Sequence, residues 1–164
     1  MATERLFEQL LAREPAPPLL PRMPYSSDNA QQIKGLAAAK LHPNVVAVLD
    51  LWNDDINACH SNVQLREGDQ TADLMHACAF AEGVVKILHR REGDFWNSKW
   101  WLGRIQHPII DSVHGGTRGA KEFVDQVEKA RTNDVEAMSK CEAKQKEELE
   151  ALARYVQDHH LVKR

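Results

Sequence analysis

The chain has 164 residues, with 21 Lys and Arg against 24 Asp and Glu and a formal charge of −3. This length is enough for one hydrophobic core without disulfides or a structural metal, and the near balance of charge offers no global field for nucleic acid or an anionic membrane. Cys59, Cys78 and Cys141 are odd in number and form no C-x-x-C pair, which points to a reducing, cytoplasmic setting and away from a disulfide scaffold.

The first segment, "MATERLFEQLLARE", is charged every few residues and lacks the apolar stretch of a signal peptide or anchor. Thr3 can cap it, and Leu6, Phe7, Leu10 and Leu11 recur at helical spacing, so residues 1–14 read as a docked helix. "PAPPLLPRMP" places five prolines in ten residues, which forbids helix and predicts an extended strap or linker over 15–26. The remainder, 27–164, reads as one helical domain. Ser27 or Asp28 can cap a helix through "NAQQIKGLAAAKL", and Pro43 suits the first turn of "PNVVAVLDLW". Asn53 or Asp54 can cap the next helix, which carries Ile56, His60 and Val63 on one face and so turns His60 inward.

Thr71 or Asp73 begins "ADLMHACAFAEGVVKILHRRE", apolar enough on all sides for a central helix, with "AEG" at 81–83 as a candidate break. "GDFWNSKWWLGRI" starts on turn and cap residues at Gly93 and Asp94 and stops before Pro108. Residues 106–118 contain Gly115 and Gly116 and read as loop. "GAKEFVDQVEKA" and a long charged helix from Asn133 to about His159 follow; the latter has one apolar stripe of Leu149, Leu152, Ala153 and Val156. No strand pair is evident and no stretch of about 18 apolar residues occurs. The expectation is an all-α, single-domain bundle of about six to seven helices.

Chemistry concentrates in "HRREGDFWNSKWW", residues 89–101. On a helix Trp96 and Trp100 share a face while Trp101 points about 100° away, so the tryptophans cannot all line one patch. Between 89 and 107 four Lys or Arg meet two acids, a local excess of positive charge. Arg90, Arg91 and Arg104 can grip a carboxylate or phosphate bidentately. The opposing reading pairs Arg91 and Arg104 internally with Glu92, Asp94 or Asp54. Asp73 with His76, and His89 with Glu92, have the i, i+3 spacing of helical metal ligands. His76 and His89 face nearly opposite ways on one continuous helix, so His60, His89 and Glu92 form the freer candidate set for a divalent metal. No activated cysteine and no Gly-x-Ser-x-Gly elbow is present.

"LWNDDINACH", "HRREGDFWNSKWW" and "EFVDQVEKA" together resemble a family of largely uncharacterised all-helical proteins of bacteria and fungi. The resemblance spans roughly residues 45–156 and rests on Leu51 to Asp54, His60, His89 to Asp94, Trp96, Asn97 and Trp100. It implies an all-α fold and a shared polar site, with no activity attached. In the family pattern a His-Ala pair runs directly into Ile-Leu-His-Arg-Arg, whereas here "CAFAEGVVK" separates them.

The expected function is binding of a small anionic or polar ligand in a pocket lined by Trp52, Asp54, His60, His89, Arg91, Glu92, Asp94, Trp96 and Asn97. The rivals are a structural or protein-interaction module in which these residues form an internal network, and an enzyme using His89 and Glu92 with or without a metal. Neither nucleic acid nor membrane is expected as a partner.

Overall fold

A computed structural model of the protein describes residues 2–78, 95–131 and 134–161. Among them lie nine α-helices and one 3-10 turn, with no strand. The all-α expectation holds, but nine helices lie among the described residues where six to seven are expected, one of them, Pro108–His114, inside the expected loop.

The helices are α1 (Ala2–Leu11), α2 (Ser27–Ala38), α3 (Pro43–Trp52), α4 (Ile56–Val63), α5 (Gln70–Cys78), α6 (Phe95–Leu102), α7 (Pro108–His114), α8 (Thr117–Ala130) and α9 (Val135–His160). The 3-10 turn Gln64–Arg66 joins α4 to the approach of α5. The hub is α3, packed by α1, α2, α4, α5 and α9. Its sequence explains this position, since "VVAVLDLW" is apolar on every side and is buried from Asn44 to Trp52. Each fully buried Val or Leu there contributes about 1.5–3 kcal/mol relative to exposure. The α5 stretch from Thr71 to Ala77 is likewise buried. The remainder of its predicted continuation, through residue 92, lies outside the described residues.

Several helix starts differ from expectation because each candidate cap sits in a cluster of Ser, Asn and Asp. Ser26 caps α2 by accepting from Asn29 N, Asp55 caps α4 by accepting from Ala58 N, and Asp69 accepts from Thr71 N and Ala72 N at the head of α5. Asp54 cannot cap α4, since its φ of 57° makes it the left-handed corner between α3 and α4.

The expected loop at 106–118 contains α7. His107 accepts from Ile109 N, Pro108 occupies the first turn, and Gly115 ends the helix in the left-handed conformation at φ 69°. Ile109, Ile110 and Val113 are buried, so the segment has its apolar anchors. Its neighbour α8 then approaches very closely: a Cβ at Gly119 would lie 1.9 Å from the His114 carbonyl oxygen.

The proline strap is bound to the bundle. Its Leu19 is buried, and α1 docks through Leu6, Phe7 and Leu10. Prolines supply carbonyls without N–H donors, so the strap needs donors from elsewhere. Gln145 of α9 donates to the carbonyls of Pro17 and Pro18, and Arg13 donates to that of Pro15. Asn53 clamps the far end, accepting from Ser26 N and donating to the Ser26 carbonyl.

On α9 the stripe Leu149, Leu152, Ala153 and Val156 is buried as expected, but so are Gln145 and Glu148. Glu148 meets His114 Nε2 at 2.9 Å, with both side chains nearly inaccessible. No helix among the described residues is long and apolar enough to cross a membrane.

Candidate functional site

The residues singled out by sequence that the structure describes fall into two places. Trp52 and Asp54 belong to a buried lock between the strap and α3. Trp52 donates from Nε1 to the Leu149 carbonyl at 3.1 Å, and Asp54 pairs with Arg13 at 2.8 Å. The same guanidinium donates to the Trp52 carbonyl at 2.7 Å and lies 3.9 Å from the Tyr25 ring centroid. An arginine with five fixed donors can hold the strap, the end of α3 and the corner residue at once.

His60 lies elsewhere, on α4, and faces His76 of α5, with the two Nε2 atoms 3.1 Å apart. Both are pushed down to about 4 by burial, and for His60 the neighbouring His76 adds to the effect. At neutral pH the pair is therefore uncharged, with one ring donating and the other accepting. Trp101 of α6 packs on His76 at 4.4 Å between ring centroids, and Ser98 pins α6 to α5 by donating to the Ala77 carbonyl. Asn97 is buried on the same helix. Trp96 (70% exposed) and Trp100 (37%) occupy the outer face, while Trp101 (9%) is turned in. Arg104 stacks on Trp100 at 4.0 Å. His89, Arg91, Glu92 and Asp94 lie outside the described residues. Two nitrogens from His60 and His76 do not make a metal centre, and no group of three or more His, Cys, Asp or Glu among the described residues is arranged to hold an ion.

A polar cluster not anticipated from sequence joins the C-terminal end of α9 to α3 and α5. His42 and His160 stack at 3.9 Å. Asn44 donates to Asp69 and lies 3.3 Å from His160 Nε2, and Arg66 reaches both Asn44 and Asp69. Nearby, His107 contacts Thr71 and the Tyr155 ring. Every member has a partner within the cluster.

The fourth place is concave. α2 and α4 both pack on α3 and leave a groove of about 910 Å³ over it. Its three walls follow helical spacing: Ser27, Ala30, Lys34 and Ala37 on α2; Pro43, Val46 and Asp50 on α3; Ala58 and Asn62 on α4, with Asp55 at the head and Leu65 beyond. Ala30, Ala37 and Ala58 end at Cβ, which keeps the helices from filling the space. Met23 and Leu65 line the groove while remaining exposed.

Asp50 stands out within it. It is only 5% exposed, and its carboxyl has no hydrogen-bond or ion-pair partner among the described residues. Burial raises it from the ordinary 3.8 to about 8, and the charge of Asp55 adds to the rise. Asp50 belongs to no sequence motif, yet it carries a signal: an acid inside an apolar helix whose neighbours at i±3 and i±4 are Val46, Ala47, Asn53 and Asp54 has no local base to pair with.

No protein-family model, no curated protein and no solved structure matches the chain.

Proposed function

We propose that the protein is a small-ligand-binding helical module whose binding face is the groove formed by α2, α3 and α4. The observation that carries this reading is Asp50. Burying a carboxyl without a partner costs several kcal/mol and reduces folding stability. Convergent polar groups with shifted ionisation in an apolar concavity are the usual mark of a binding site. The apolar walls supply affinity and Asp50 supplies orientation. The buried, reduced thiols of Cys59 and Cys141 support a cytoplasmic location.

The geometry of Arg13, Asp54 and Trp52 supports the structural reading of those residues as an internal lock. A second reading keeps a polar-ligand site around His60, favoured by two neutral imidazoles meeting at 3.1 Å; its extension to His89, Arg91, Glu92 and Asp94 rests on sequence.

A metabolite thermal-shift screen on the wild type and on Ala58→Trp tests the groove directly. Ala58 is half-buried on the groove wall, so the indole fills the space with little effect on the core. A ligand at about 100 times its Kd adds about 2.7 kcal/mol to the wild type and nothing to the variant. Ligands that stabilise both proteins equally would place binding elsewhere and overturn the proposal.

A further inference from the structure

We infer that the groove takes a small organic cation, a primary or secondary ammonium carried on an apolar body of aromatic size. This rests on the reading of the groove as a ligand site and specifies its chemistry. Two carboxyls line it, Asp50 on α3 and Asp55 at the head of α4. Asp55 is committed as a helix cap, accepting from Ala58 N. A carboxylate-bearing ligand meets repulsion there, and an uncharged ligand gains one neutral hydrogen bond. An ammonium gains a charge-assisted bond to Asp50 and attraction from Asp55.

The two cations that line the groove do not fulfil this role. Arg66 is engaged by Asn44, the Asn62 carbonyl and side chain, and Asp69. Lys34 is exposed on the outer α2 wall, where solvent screens it. The remaining lining carries no charge: Ser27, Gln31, Ser61 and Asn62 are polar, and Met23, Ile33, Val46 and Leu65 are among the apolar residues that offer surface to a ring.

Protons balance simply. Asp50 is mostly protonated at neutral pH in the empty groove, so an arriving ammonium binds the carboxylate form and the Asp50 proton leaves to buffer. The ligand keeps its own proton. Binding therefore releases up to one proton and strengthens with pH until Asp50 is ionised without help.

Isothermal titration with tryptamine, tryptophol and indole-3-acetate compares an ammonium, a hydroxyl and a carboxylate on one ring system. The full chain is titrated in buffers of different ionisation enthalpy. Tryptamine is expected to bind at least about tenfold more tightly than the other two. Its affinity should rise by about an order of magnitude from pH 6 to pH 7 and level off above about pH 8, with proton release. Asp50→Asn should fold and lose the preference, and Ala58→Trp should lose binding of all three. Tryptophol or indole-3-acetate binding as tightly as tryptamine, in a manner that Ala58→Trp abolishes, overturns the cation assignment and leaves the groove reading standing. No binding by any of the three up to millimolar concentration, or binding indifferent to Ala58→Trp, overturns both.

Discussion

Replacing Asp50 with Asn removes an ionisable group while keeping its shape, and the structure sets the sign and scale of the result. The folded protein holds the Asp50 carboxyl neutral up to about pH 8, whereas the unfolded chain ionises it near 3.8. Between those values the folded state binds a proton that the unfolded state has released. Wild-type stability therefore contains a contribution that is fully present below 3.8 and is lost as pH rises through about 8. At about 1.4 kcal/mol per pH unit the interval sets a ceiling of about 6 kcal/mol. Relaxation and water entry lower the expected value to about 2–3 kcal/mol. Urea denaturation of both proteins across this range, compared as a difference, isolates Asp50 from the histidines. Asp50→Asn should gain on the wild type steadily with rising pH and be the more stable protein at pH 8. A difference that does not change with pH, or a wild type that gains with rising pH, would mean that Asp50 is ionised and partnered, and the reasoning about the groove would fail.

Acid should weaken the fold separately, because burial pushes His60, His76 and His107 down to about 4. Their contribution is full above 6.5 and falls as pH drops toward 4, so His76→Gln should reduce the stability lost between pH 7 and pH 5 by about 1–2 kcal/mol in urea titrations. Arg13→Ala removes the cation from a buried pair and should cost about 3–5 kcal/mol; a loss under about 1 kcal/mol would deny the lock, and Arg13→Met with Asp54→Asn should recover part of the loss. Trp101→Ala should cost about 3–5 kcal/mol by thermal and chemical denaturation. Trp100→Ala, with its ring partly exposed under Arg104, should cost much less, and equal losses would contradict the orientation of α6.

Sequence periodicity was sufficient for the elements whose apolar stripes are long, as α1, α3 and the stripe of α9 show. It was insufficient where the same residues signal two things. Pro108, Gly115 and Gly116 suggest a loop, yet here they start and stop α7, and only the buried Ile109, Ile110 and Val113 between them decide the matter. Choosing among Ser26, Ser27 and Asp28, or among Asn53, Asp54 and Asp55, depends on backbone angles that composition does not set.

The site was harder to read because its partners are distant in the chain. Trp52 finds Leu149 across 97 positions and its carbonyl finds Arg13 across 39, partners too distant in the chain for spacing to show. His60 meets His76 across 16 positions, a pairing that the i, i+3 spacing of Asp73 and His76 does not signal. Asp50 was legible in principle as the one acid within an apolar run, but only the flanking of α3 by α2 and α4 turns it toward a groove.

The most direct test of the groove is methyl NMR on protein labelled at Ile, Leu and Val, titrated with tryptamine. Ile33, Val46 and Leu65 should shift together and saturably, with Ile109 and Val113 unmoved and the response abolished in Ala58→Trp. Shifts confined to Ile109 and Val113, or none at Val46 at saturation, would contradict the assignment of the groove as the binding face.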